Sequence, residues 1–211
     1  MSRIYSDAAR ELQDAFDTRR LADRLEATIV RTAATDEDRA FIESRDFFFL
    51  ATVDPDGWPT CSYKGGAPGL VRLIDAGTLA FPCYDGNGMY LSMGNASATG
   101  KLAMLFIDFE SPKRLRLSGR ASIDLRDPLA TEWHEAQFVV RVAIEKLWPN
   151  CPRYIHQHRR VESSKFVPAT GSETPIPAWK TFEFVRDVLP ARDVAGVEAA
   201  LAKGADEADD D

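Results

Sequence analysis

The sequence predicts an α+β protein, mainly β, built on a small antiparallel barrel with a helical arm in front of it. Three observations carry this. Between residues 47 and 123 short apolar or alternating runs are separated by turn residues, the pattern of strands joined by hairpins. Helical spacing is confined to the first 45 residues, a short segment after residue 88 and another near the C-terminus. Nothing gives the regular strand–helix rhythm of a doubly wound sheet.

The elements follow in order. Residues 6–31 carry Leu12, Ala15, Phe16, Leu21, Leu25 and Ile29 among charges, close to helical spacing. Residues 35–45 read as a second helix, with Thr35 as its cap and Glu37 and Asp38 at its positive end. Together they make an N-terminal arm, residues 1–45, whose apolar face must be covered by the barrel or by a partner subunit. The barrel opens with strand 47–53 (FFFLATV), the turn Asp54-Pro55-Asp56-Gly57 and strand 58–64 (WPTCSYK). Gly65 to Gly69 leads to strand 70–74, and Asp75-Ala76-Gly77 turns into strand 78–83. The loop Tyr84-Asp85-Gly86-Asn87-Gly88 feeds a helix over 89–97. Strand 101–108 is almost wholly apolar and so interior, and strands 114–123 and 138–148 alternate. Beyond them come prolines 149, 152, 168, 175 and 177 and a short helix near 191–203. The barrel domain is set at 46–165 and a C-terminal extension at 166–211.

Composition excludes several function classes. At 211 residues and 45% hydrophobic, the chain suits one sizeable globular domain with extensions. A net charge of −7 opposes a general nucleic-acid binder, which needs a basic field. Residues 205–211 read as a solvated acidic tail. No apolar run approaches the roughly 20 residues of a membrane span, and the polar N-terminus is not that of a signal peptide. Cys61, Cys83 and Cys151 are odd in number and widely spaced, which points to a reducing cytoplasm and to neither disulfides nor a zinc site. His156 and His158 lack the acidic or cysteine partners a metal site needs, so no metal is expected.

Chemistry-bearing candidates are few. Arg114, Arg116, Ser118 and Arg120 share one face of their strand, either an ordinary solvated basic face or an anion site suited to the guanidinium fork. Lys64 ends its strand, either as a surface lysine or as a donor to a ring or phosphate. Residues 84–88 are a turn by default. Because they run into a helix, their backbone N–H groups also offer a place for a phosphate, without any Walker or GxGxxG pattern. No histidine stands in a hydrolase motif, Cys151 has no neighbouring base, and no carboxylate pair stands out, so the catalytic residues stay unassigned.

The order ATVDPDGWPTCSYKGG, then TLAFPCYDGNG, then LAMLFIDFESPKRLRLSGRA, resembles the pyridoxamine 5′-phosphate oxidase-like family of FMN-binding split barrels over roughly residues 35–165. Asn150-Cys151-Pro152-Arg153-Tyr154 resembles a motif of a less characterised branch of that family. The resemblance implies an antiparallel split β-barrel, a homodimer, and FMN in clefts at the subunit interface. It places cofactor contacts at Ser62, Tyr63, Lys64 and Gly65, at Phe81, Pro82 and Cys83, and at Arg114 with Arg116. The Ser-Arg-Lys phosphate cluster of the true oxidases has no counterpart in Tyr90-Leu91-Ser92, so phosphate contacts shift to Asn87, Gly88, Ser92, Asn95 and the arginines. The Arg-x-His-x-Arg element for pyridoxal phosphate is also missing, which argues against vitamin B6 oxidation.

The resemblance further implies that Asn150, Cys151, Arg153 and Tyr154 line the substrate side or meet the partner subunit; Trp148, like Tyr154, reads either as a wall of the substrate side or as core. The leading expectation is an FMN-dependent oxidoreductase acting on a small molecule, with hydride or electron transfer supplied by the flavin. The alternative is a non-enzymatic protein for flavin storage or redox stress response, or one binding heme or deazaflavin.

Overall fold

The computed structural model describes residues 2 and 4–208, with side chains to residue 202. The chain divides into two compact units, residues 1–161 and 162–211.

The first unit begins with a helical hairpin. Where the spacing predicts one segment over 6–31, two helices form, α1 (Asp7–Ala15) and α2 (Arg19–Ile29). The break is at Asp17, whose φ of 52° is left-handed and ends the first helix; aspartate tolerates that region better than most residues. The Ser6 hydroxyl accepts from Ala9 N–H and so caps α1. The hairpin is held by polar contacts: Arg10 pairs with Asp23 at 2.7 Å, and the Tyr5 hydroxyl donates to the Ala22 carbonyl at 3.4 Å. Leu12, Phe16, Leu21 and Leu25 are exposed, so the arm's expected apolar face is uncovered within one chain.

Helix α3 (Asp36–Glu43) starts where the sequence predicts, because Thr35 and Asp38 form a reciprocal capping box. It ends two residues early, at the Ser44 cap. Phe41 and Ile42 enter the core, and Arg31 donates to both Asp38 carboxylate oxygens at 2.7 and 2.8 Å.

Seven strands follow: β1 (Phe47–Val53), β2 (Pro59–Gly65), β3 (Arg72–Asp75), β4 (Thr78–Cys83), β5 (Lys101–Asp108), β6 (Lys113–Asp124) and β7 (Phe138–Asn150). They form one antiparallel sheet in the order β2-β1-β5-β6-β7-β4-β3. The edge strands β2 and β3 are not paired to each other, which is the split in a split barrel. Strand expectations need only end corrections. β3 starts two residues late because Gly69, at φ 85°, still belongs to the preceding turn. β6 gains a residue at each end, and β7 runs on to Asn150, where it stays paired with Arg114.

One face of this sheet is closed. Phe48, Leu50, Leu79, Phe106, Leu117 and Leu147 are fully buried, and they join Phe81, Met104 and Leu115 in a continuous core. Between Ser118 and Gly119 the β6–β7 register slips by one residue, a β-bulge on β7. There the chains approach so closely that a Cβ on Gly119 would lie 2.4 Å from the Ala143 carbonyl oxygen.

The predicted helix over 89–97 becomes α4 (Leu91–Thr99). Tyr90 sits at φ 48° and cannot join it, which moves the start two residues along. Gly100, at φ 66°, ends it.

The second unit contains a 3₁₀ turn (Ala178–Thr181), α5 (Glu183–Arg186) and α6 (Ala191–Ala208). Its interior holds a Lys180–Asp193 pair at 2.9 Å together with Val197. The helix predicted near 191–203 is longer than expected. Residues 209–211, the end of the expected acidic tail, lie outside the described residues, and no side chain beyond residue 202 is described. No helix among the described residues is long and apolar enough to cross a membrane.

Candidate functional site

Alternation along β2 decides which side chains look inward. Lys64 is paired with buried Phe48 and Ser62 with buried Leu50, so both lie on the closed face. Tyr63 is paired with Phe49 on the opposite face. At the open end of the barrel, the end of β2 meets the end of β4 across a cleft of about 260 Å³. Tyr63, Lys64 and Gly65 form one wall and Phe81, Pro82 and Cys83 the other. Leu70, Tyr84, Asp85, Gly86 and Met93 of α4 complete it.

The electrostatics of this cleft are set by burial. Lys64 is half-buried, and desolvation holds its ammonium below the ordinary lysine range. It makes no hydrogen bond or ion pair among the described residues. Burial pushes the Cys83 thiol up, partly offset by the Lys64 charge. Burial likewise raises the phenols of Tyr63 and Tyr84. The cleft therefore offers the Lys64 cation, the Asp85 carboxylate, neutral thiol and phenol groups, and apolar side chains.

The loop behind the cleft is braced rather than loose. The Tyr90 hydroxyl and the Gln137 side-chain oxygen lie 2.7 Å apart, and the Gln137 amide donates to Asp85 at 3.0 Å. The Asn87 side chain accepts from Met89 N–H at 3.0 Å, closing a local turn, and Gly88 takes φ 74°. The Ser62 and Ser92 hydroxyls lie 3.1 Å apart and tie β2 to α4. Asn95 is buried behind them, 3.5 Å from the Thr52 hydroxyl.

The expected cofactor residues thus fall into three groups. Tyr63, Lys64, Gly65, Pro82 and Cys83 line the cleft. Ser62, Ser92 and Asn95 brace its wall, while Asn87 and Gly88 shape the adjoining loop. Arg114 and Arg116 stand on the outer face of β6, opposite Ile107 and Leu105, and neither lines the cleft of its own chain. Arg116 is opposite Trp148, and Arg114 is opposite Asn150. Arg114 Nε and Asn150 Oδ1 are both buried without a hydrogen-bond partner. Cys151, Arg153 and Tyr154 are exposed beyond the end of β7.

Sequence reasoning missed Leu70, Met93, Gln137 and Arg160. Met93 stands next to Ser92 and could have been found from it. Gln137 and Arg160 reach their places across 52 and 114 residues, respectively, and no local pattern marks them. Among the described residues, no three histidine, cysteine or acidic side chains gather as metal ligands.

The family model for pyridoxamine 5′-phosphate oxidase matches residues 34–164. No curated protein matches the chain. Among solved structures, HupZ of Group A Streptococcus is 22% identical, with 55% of this chain and 93% of that one covered and a TM-score of 0.45. A Lactobacillus delbrueckii protein named for pyridoxamine 5′-phosphate oxidase is 24% identical, with 56% and 95% covered and a TM-score of 0.45. An FMN-binding protein from Syntrophomonas wolfei is 15% identical, with 66% and 97% covered and a TM-score of 0.42.

Proposed function

This chain belongs to the pyridoxamine 5′-phosphate oxidase family, and we propose that it is a cytoplasmic FMN-binding oxidoreductase for a small molecule, assembled as a homodimer. The observation that carries the reading is Lys64: a half-buried cation that makes no ion pair among the described residues, in a cleft with aromatic walls whose one carboxylate, Asp85, accepts from Gln137. Burying a charge is costly unless an anion accompanies it. A flavin mononucleotide supplies both ring carbonyl acceptors and a phosphate, and either end suits an unpaired ammonium.

The residues present fit part of such a group. Binding sites for molecules of drug size generally span roughly 300–1,000 Å³, and the cleft at about 260 Å³ lies just below. One chain would therefore enclose a portion of the cofactor, and a second copy would cover the remainder. The outer-face arginines suit that role because they cannot serve their own cleft. The orphaned Arg114 Nε and Asn150 Oδ1 are a donor and an acceptor that such a contact would satisfy.

The flavin supplies hydride or electron transfer when bound. The chain's own residues do the rest. Lys64 would hold the flavin by its positive charge, a preorganised form of electrostatic stabilisation for an anionic group in the cleft. Tyr63 flanks the mouth, Pro82 and Cys83 form a wall that excludes water, and Gln137 fixes the adjoining loop through Tyr90 and Asp85.

The test is an absorbance spectrum of the protein after incubation with FMN and desalting, with FAD in parallel. The expected outcome is retained yellow absorbance at about one FMN per chain, and loss of most of it in Lys64→Ala. A colourless protein would remove the reading. Retained flavin that no donor reduces would leave a storage protein in place of an enzyme.

A further inference from the structure

The segment after β7, residues 151–161, is exposed along almost its whole length yet firmly held. His158 N–H donates to the Phe109 carbonyl at 3.0 Å, and the Gln157 amide donates to the Glu110 carbonyl at 2.8 Å. Arg160 N–H donates to the Glu110 carboxylate at 3.1 Å, and the His158 ring meets Phe109 edge-on at 5.1 Å. These anchors are polar, so the segment is not held there by burying a hydrophobic face. What they fix is charge. Residues 151–161 (CPRYIHQHRRV) contain three arginines, two histidines and no acidic residue, in a chain of net charge −7.

The last anchor sets that charge beside the cleft. The Arg160 guanidinium pairs with Asp46. Asp46 in turn accepts the Gly66 N–H through its carbonyl at 2.7 Å, directly after the cleft residue Gly65. Both Asp46 and Arg160 act on the Tyr63 phenol, a cleft residue. Arg160 spends only one nitrogen on Asp46, and Arg159 makes no ion pair among the described residues. The Arg160 guanidinium, with donors unused, thus stands on the Tyr63 side of the mouth, and Arg159 is its neighbour along the exposed chain.

We propose that residues 151–161 form the anion-recognising rim of this cleft, with Arg159 and Arg160 taking a carboxylate or phosphate of the small molecule that reacts there. The proposal rests on the flavin reading for the reaction and on the rim geometry alone for the anion. Guanidinium forks match both oxyanions in planar, two-point contact. A local positive field in an acidic protein also gathers anions toward one entrance. Substrates without such a group would meet no specific contact at this rim.

The test uses the full chain, titrated with inorganic phosphate and separately with acetate at constant ionic strength set by chloride. Side-chain NMR signals of Arg159, Arg160 and His158 report binding. Saturable shifts are expected in the unmodified protein, with the midpoint weakened about tenfold or more by Arg159→Gln with Arg160→Gln, since charge-assisted contacts are lost. Shifts with phosphate alone point to a phosphate-bearing substrate, and with acetate alone to a carboxylate. FMN retention by the variant should equal that of the unmodified protein. Unmoved signals, equal titrations in both proteins, or loss of FMN from the variant would each overturn the proposal. Failure of the unmodified protein to retain FMN removes the flavin reading instead, and leaves the titration to be read on its own.

Discussion

The two faces of the sheet are made by the same strands and differ in what covers them. On the inner face Phe48, Leu50, Phe106 and Leu117 are shut off from solvent entirely. On the outer face their immediate neighbours Phe47, Phe49, Leu105 and Trp148 are only half-covered, with Tyr63 and Arg116 exposed among them. Phe47 stacks on Tyr63 at 5.3 Å and on Phe109 at 5.8 Å, so this face carries an aromatic layer of its own. The inner face is finished within one chain. The outer face combines half-covered apolar rings and arginines with a buried donor and acceptor, Arg114 Nε and Asn150 Oδ1, that have no partner among the described residues.

Phe48 and Phe49 break that comparison most sharply. Phe48 packs on Phe81 at 5.1 Å and Phe106 at 5.8 Å in the core. Phe48→Ala should cost about 4 kcal/mol, the usual toll of emptying a buried aromatic site. Phe49→Ala, one residue on, should cost about 1 kcal/mol in the single chain because its site is already half-open. Chemical denaturation at protein concentrations low enough to keep chains separate checks the pair; equal losses would mean that both faces are core.

Gly119 tests the sheet where β6 and β7 come closest. In Gly119→Ala the new Cβ meets the backbone oxygen of Ala143, which no rotamer change can move aside. A loss of about 2 kcal/mol is expected, read from the same denaturation curves. No effect would mean that the bulge beside Ser118 relaxes freely.

Much of this division was legible in the sequence. The alternation of Arg114 to Ala121 set the inner and outer faces of β6, and Thr35 with Asp38 marked the start of α3, because both signals are local. The hairpin was not legible: Leu12, Phe16, Leu21 and Leu25 suggest an inward stripe, yet Ala22 and Glu26 are the buried residues, with Arg10 beside Glu26. Of the site, Lys64 and Cys83 stood out only as strand ends, since their meeting depends on how the sheet curls. Arg160 beside Asp46 left no trace at all, being a pairing between distant loops.

Lys64 sharpens the comparison from the inner side. Burial lowers its pKa in the folded chain, so the unfolded chain binds more protons between the lowered value and the ordinary lysine value. Its penalty is therefore complete below that window and fades as pH rises through it. Lys64→Met should stabilise the flavin-free protein at neutral pH and flatten the alkaline rise in stability, while weakening FMN retention. Melting temperatures from neutral to alkaline pH decide this. A variant less stable at neutral pH would show that Lys64 already has a compensating partner.

The smallest effect on the single chain, and the most telling for the outer face, is expected at Arg116. Its guanidinium is exposed and makes no ion pair among the described residues, so Arg116→Glu should change the stability of the isolated chain by no more than about 0.5 kcal/mol. If the outer face meets a second copy, the same change sets a carboxylate among aromatic rings at a contact that both subunits share by symmetry. Each dimer then carries the fault twice. Sedimentation should show the unmodified protein as a dimer and the variant shifted toward monomer, with FMN retention falling in step because the arginines of one chain would serve the cleft of the other. A dimer unaffected by Arg116→Glu would move the interface to another surface. The uncovered hairpin side chains Leu12 and Phe16 would then be the next place to look for it.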